Sequence, residues 1–141
     1  MPTIALIGNP NTGKSTLFSA LAGIAQRVGN YPGVTVEKKL GQWQMGDQVC
    51  QLVDLPGTYS LAPRSPDEMV AVDVLLGQQA DVGCPDAVIC ILDASNLQRN
   101  LYLVSQVLEM ELPTVVALNM IDVAEQKQLQ IDVDRLQERL Q

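Results

Sequence analysis

Gly8-Asn9-Pro10-Asn11-Thr12-Gly13-Lys14-Ser15 spells G-x-x-x-x-G-K-[ST], and the residues on either side decide what it means. The apolar run Thr3-Ile4-Ala5-Leu6-Ile7 precedes it, and Thr16-Leu17-Phe18-Ser19-Ala20-Leu21-Ala22, which follows, reads as a helix. Strand, glycine-rich turn and helix in that order make a phosphate loop. Backbone N–H groups of the turn encircle a phosphate, and the helix offers its free N–H groups and positive dipole end to the same anion. Lys14 would reach the terminal phosphates, and the Ser15 hydroxyl would ligate Mg2+. The alternative is an ordinary glycine-rich strand-to-helix turn. A full motif with both flanks correct favours a nucleoside triphosphate site instead.

Composition narrows the class. The chain has 141 residues, 47% of them hydrophobic, enough for one core and a single domain over 1–141. No apolar run approaches the ~20 residues that span a bilayer. Ala87-Val88-Ile89-Cys90-Ile91-Leu92 is strand-sized and stops at Asp93. There is no basic segment followed by a long apolar stretch at the N-terminus, so no signal peptide is expected. Cys50, Cys84 and Cys90 lack metal-ligand spacing and there are no histidines, which predicts buried, reduced thiols. Sixteen acidic against nine basic residues give a net charge of −7. That balance argues against nucleic acid as a partner, because a basic face is needed to displace its counterions.

Apolar runs alternate with helical patterns, the signature of an α/β fold with a mostly parallel sheet. Strands are expected near 2–8, 35–45, 48–54, 86–93 and 113–119, and helices near 14–24, 67–76, 97–111 and 132–140. The short link Met45-Gly46-Asp47-Gln48 makes its two strands an antiparallel hairpin. Pro66 with Asp67 and Glu68 suits a helix start, and Gly77 its stop. Leu97, Leu101, Val104, Val107 and Leu108 recur at helical spacing and give that helix one face for the sheet. Segments 25–34, 56–66 and 78–85 read as loops. The chain stops in the amphipathic stretch Val133–Leu140 with no strand after it, so a final strand and helix of the fold are expected to be missing. The sheet edge left open would invite pairing with another copy.

Three further elements join the phosphate loop. Asp54-Leu55-Pro56-Gly57 follows the apolar strand Cys50-Gln51-Leu52-Val53. Its carboxylate can hold Mg2+ through the water shell, and Gly57 can offer a backbone N–H to a γ-phosphate because no side chain blocks close approach. Alone the pattern is a common turn; a strand after a phosphate loop it carries function. Thr35, within Gly33-Val34-Thr35-Val36-Glu37, can swing in to complete the Mg2+ shell when a γ-phosphate is present. Read plainly it is a β-branched strand residue. Asn119-Met120-Ile121-Asp122 ends the run Val115-Val116-Ala117-Leu118. A carboxylate accepts both N1–H and the exocyclic N2–H of guanine, so Asp122 selects guanine over adenine while Asn119 braces the loop and meets the base edge.

These elements in this order resemble the translation-factor-like GTPases, whose fold is the Ras-like P-loop G domain with helices flanking the sheet and one antiparallel strand. Four stretches narrow the match: Arg27–Glu37, Asp54–Leu61, Asp93–Leu103 and Ala117–Asp122. Together they resemble the N-terminal G domain of the bacterial ferrous-iron transporter family FeoB, over essentially the whole chain. Met120 is the most specific mark, standing where most small GTPases carry a lysine that packs on guanine. The resemblance implies a slow Mg2+-dependent GTPase that switches Fe2+ uptake from the cytoplasmic side of the inner membrane. Its partners would be its own helical and transmembrane domains, which follow the G domain in that family. Residues 8–16 (through Thr16), 33–37, 54–57 and 119–122 would bind the nucleotide, with Ser15, Thr35 and Asp54 on Mg2+. Thr58 stands where many small GTPases carry a water-orienting glutamine, and it is too short for that task. The resemblance instead implies K+ held partly by Asn11, stabilising charge at the β–γ bridge beside Lys14, Thr35 and Gly57. Arg27 and Arg64 lie in the mobile segments and could act as fingers, though solvated surface arginines are the plainer reading. Two other classes stay open: a guanine-nucleotide sensor without turnover, and a ribosome-assembly GTPase, which would ordinarily carry lysine at 120 and a basic partner domain.

Overall fold

Thr3–Gly8 (β1) is buried along its whole length, as a continuous apolar run must be when both its neighbours are strands. The computed structural model describes all residues except 25, 80, 81 and 141. In chain order the elements are β1, α1 (Lys14–Ala22), β2 (Gln26–Asn30), β3 (Glu37–Met45), β4 (Gln48–Asp54), α2 (Pro66–Leu75), β5 (Ala87–Asp93), α3 (Leu97–Glu109), β6 (Thr114–Asn119), α4 (Ile121–Gln126) and α5 (Val133–Leu140). A short 3-10 turn at Ala94–Asn96 leads into α3. The six strands form one sheet in the order β2-β3-β4-β1-β5-β6. β1 pairs in parallel with β4 and β5, and β6 in parallel with β5. β3 is antiparallel to both of its neighbours, so it is the one strand running against the rest.

Alternation along β1 builds two cores. Ile4 and Leu6 face Phe18 and Ala22 of α1, with Cys50, Leu52 and Ile91. Ala5 and Ile7 face the other layer, where Val70 and Val74 of α2 meet Leu103, Val104 and Val107 of α3. α1 lies flat on its layer because Gly41 has no side chain: a Cβ there would come 2.6 Å from the Ala22 methyl. The cap of α2 combines Ser65, whose Oγ accepts from the Glu68 N–H at 3.2 Å, with Pro66 in the first turn. Gly77 then turns the chain at φ +75°.

Three expectations need correction. Segment 25–34 is not simply a loop, since residues 26–30 form β2, paired from Gln26↔Gly41 to Asn30↔Glu37. Its side chains are mostly exposed, so it has no apolar alternation to betray it; backbone bonding to β3 makes the strand. The strand expected from 35 starts at Glu37, leaving Thr35 and Val36 in the connection that leads to it. α4 was not foreseen, as six residues are too few to show a period. The loop at 78–85 falls partly on residues outside those described. No helix among the described residues is long and apolar enough to cross a membrane.

Candidate functional site

The chain leaves β1 for β2–β4 on one side and returns to β5 on the other, so the carboxyl end of β1 is a topological switch point where ligands find a crevice. The phosphate loop occupies that place. Gly8 is pressed against β5, where a Cβ would meet the Ile91 carbonyl at 2.9 Å. Asn11 and Gly13 take left-handed backbone at φ 66° and 90°. Thr12 is buried and its hydroxyl donates to the Asn9 carbonyl at 2.9 Å, which closes the loop on itself. Gly13 caps α1 without a side-chain hydrogen bond, so the first amides of α1 keep their capacity for an anion.

Two adjoining cavities share Lys14, Ser15 and Gly57. One, of about 360 Å³, is lined by Asn9, Pro10, Asn11, Gly13 and Thr16 besides those three. The other, of about 310 Å³, adds Thr35, Val36, Glu37, Lys39, Asp54, Leu55, Pro56 and Asp67. Residues 35–37 and the 54–57 segment thus line one cavity with Lys14 and Ser15 of the loop. Gly33 and Val34 lie just outside, and a Cβ on Gly33 (φ +77°) would meet nothing. Lys14 and Asp54, both buried, form an ion pair across the junction of the cavities. Gly57 packs on Pro10, where a Cβ would stand 3.1 Å from Cα. The Thr58 N–H donates to the Gly8 carbonyl at 3.1 Å. Thr58 is itself buried, and its Oγ1 has no hydrogen-bond partner among the described residues. The donors around the second cavity, hydroxyls of Ser15 and Thr35 with the Asp54 carboxylate, are all oxygen, the set that suits a hard divalent cation.

Asn119, at the end of β6, sends Nδ2 to the Thr12 carbonyl at 2.8 Å. Met120 begins α4 in left-handed backbone, with its Cε near Gly13. Ile121 and Asp122 follow in the exposed first turn of α4. Arg27 and Arg64 are exposed, on β2 and in the loop before α2. Cys50 and Cys90 are buried, and burial pushes the Cys90 thiol up to about 12. Cys84, expected inside, is exposed in the loop before β5. No cluster of metal-ligating side chains of His, Cys, Asp and Glu occurs among the described residues. A groove of about 460 Å³ against β6 and α5 is larger than either polar cavity, but leucine and valine dominate its lining and no charged group enters it.

Sequence reasoning placed the start of α3 but missed its contacts with the site. Asn9 Nδ2 donates to the Arg99 carbonyl at 3.3 Å, and the Arg99 guanidinium lies 4.5 Å from the centre of the Tyr59 ring. Asn100, buried at 3% exposure, accepts from the Asp93 N–H at 3.2 Å and donates to the Asn96 carbonyl at 2.8 Å. One signal was available: Asn100 interrupts the apolar stripe of Leu97, Leu101 and Val104.

The profile of a family described as ferrous iron transport protein B matches residues 2–141. The chain belongs to the FeoB family. It is 54% identical to the Fe(2+) transporter FeoB of Salmonella typhimurium, over 98% of this chain and 18% of that protein. The chain therefore spans about a fifth of the curated relatives it matches. The G domain of T. maritima FeoB superposes with a TM-score of 0.88 at 45% identity, covering 99% of this chain and 82% of that one. A mutant S. thermophilus NFeoB bound to GDP gives 0.86 at 49% identity, covering 96% and 51%. The architecture is accordingly that of a FeoB G domain, a P-loop α/β fold of the Ras-like kind.

Proposed function

We propose that this FeoB-family chain is a G domain that binds and hydrolyses GTP, and that its nucleotide state switches a ferrous-iron transporter. The observation that carries the reading is the convergence of Lys14, Ser15, Thr35, Asp54 and Gly57 on one cavity at the carboxyl end of β1. The relatives are iron transporters, and a structural neighbour is bound to GDP. Loop amides from Gly8 to Thr16 cradle the α- and β-phosphates, and the Lys14 ammonium moves from Asp54 onto the β/γ oxygens. Ser15, Thr35 and Asp54 are the residues that would hold Mg2+, which would supply positive charge against the phosphates. Gly57 gives its N–H to the γ-phosphate, which orders Thr35 and 54–57 together and so makes the switch. Asn119 fixes the base loop to the phosphate loop, while Asp122 accepts the two guanine N–H groups.

Thr58 is buried and cannot orient the attacking water, so turnover is slow and depends on backbone groups of the switches. Asn11 lines the phosphate cavity and is the side chain that would hold K+ against the β–γ bridge. In the whole transporter the domain would lie on the cytoplasmic side of the inner membrane, acting on its own helical and transmembrane domains.

The test is Mg2+-dependent phosphate release from GTP by wild type and Lys14→Ala. Release that chelator and mutation both abolish supports the enzyme. Tight GTP binding without release would leave a sensor.

A further inference from the structure

Arg99, in the first turn of α3, touches both the phosphate loop and the segment that follows Gly57. Its carbonyl accepts from Asn9 of the phosphate loop at 3.3 Å, and its guanidinium covers the Tyr59 ring at 4.5 Å. Tyr59 follows Gly57 and Thr58 directly, in a stretch with no helix or strand of its own. A segment of that kind is fixed by the individual contacts its residues make with the elements around it. On the β1 side the Thr58 N–H bonds to the Gly8 carbonyl. On the α3 side the Tyr59 ring meets Arg99 and, two residues on, the Leu61 N–H donates to Gln106 Oε1 at 2.8 Å. Helix α3 is a firm support because buried Asn100 ties its start to Asp93 and Asn96.

We propose that Arg99 is a positioning residue for the γ-phosphate site: through the Tyr59 ring it holds Gly57 against the phosphate loop, ready to donate its N–H. The inference rests on the reading of the cavity as a GTP site and goes beyond it by naming what sets the second switch. The Arg99 side chain is engaged on the Tyr59 ring. Discrimination between GTP and GDP follows, because GDP has no γ-phosphate for Gly57 to meet. A cation over an exposed ring contributes a small energy, equivalent to about two- to five-fold in an equilibrium constant. Lysine in place of Arg99 keeps a cation over the ring, whereas alanine keeps only the backbone carbonyl that Asn9 uses.

The experiment measures affinity for GDP and for a non-hydrolysable GTP analogue, with phosphate release from GTP, in wild type, Arg99→Ala, Arg99→Lys, Tyr59→Leu and the double variant Arg99→Ala/Tyr59→Leu. The expected result is a two- to five-fold loss of analogue affinity and a matching fall in kcat for Arg99→Ala and for Tyr59→Leu, with GDP affinity unmoved. The double variant should lose no more than either single, and Arg99→Lys should recover most of the loss. Should Arg99→Ala fail to fold, Tyr59→Leu tests the contact from its other partner, whose ring is 45% exposed. An analogue-to-GDP ratio unchanged in both single variants, equal loss of both nucleotides, or additive losses in the double variant would overturn the proposal. A wild type that binds no guanine nucleotide would instead overturn the reading beneath it, and with it this one.

Discussion

Asn119 donates its side-chain amide to the Thr12 carbonyl at 2.8 Å, joining two loops that are 107 residues apart in sequence. The bond passes directly over Gly13, where a Cβ would come 2.3 Å from that same nitrogen. Glycine at 13 therefore serves two ends: it allows φ +90°, and it leaves room for the base loop to dock. One hydrogen bond thus joins the loop proposed for phosphate to the loop proposed for the base.

Asn119→Ala removes the bond and should cost about 1 kcal/mol of stability, read as a lower denaturation midpoint. Nucleotide affinity should fall more than stability does, because the base loop loses its register. Gly13→Ala adds backbone strain to the clash and should abolish binding outright. Wild-type affinity in Gly13→Ala would contradict this account of the docking.

Met120 sits beside Gly13 and can only pack, whereas a lysine stem and ammonium can cover the purine and meet polar groups. GDP should leave the wild type faster than Met120→Lys. Stopped-flow dissociation of a fluorescent GDP checks this, and no slowing in the variant would sink it.

Asn11 holds φ 66°, so alanine there would add strain to the loss of the amide. Asn11→Gly deletes the amide and keeps the backbone conformation accessible. Hydrolysis by wild type should run faster in K+ than in Na+, and Asn11→Gly should bring the two rates together. Equal rates in wild type, with Asn11→Gly silent, would favour the sensor without turnover.

Burial holds the Cys90 thiol protonated to about 12, against 9.0 for the ordinary group. Below pH 9 the thiol stays protonated whether the chain is folded or not, and its contribution is fully present. Between pH 9 and 12 the unfolded thiol ionises first, so the unfolded state binds fewer protons and stability falls as pH rises. Denaturant titrations of wild type and Cys90→Ala should converge across that window. Parallel curves would show that Cys90 has no part in the alkaline loss.

What the sequence disclosed follows from which forces leave a local trace. β1, β4 and β5 were legible because buried strands show as apolar runs, and α3 because its stripe has a clear period. β6 was legible because its run at 115–118 is apolar even though it lies half-buried at the sheet edge. β2 was hidden, since Gln26–Asn30 owes its form to backbone pairing at an edge and carries mostly exposed side chains. The phosphate loop and the Asp54–Gly57 segment were readable as motifs because their chemistry demands fixed spacing along the chain. The Arg99–Tyr59 contact and the Asn119–Thr12 bond were not, as each joins segments that only the sheet brings together. Cys84 was assigned to the interior on composition, yet it lies in a loop whose exposure no periodicity reveals.

In the proposed function guanine selection rests on Asp122, and one comparison reaches it directly. Phosphate release from GTP and from ATP should be followed with Mg2+ and K+ present, in wild type and in Asp122→Asn. The account predicts release from GTP well above that from ATP, and a preference for GTP reduced by about 100-fold in the variant. Equal release from the two nucleotides, or an Asp122→Asn protein as selective as wild type, would contradict it.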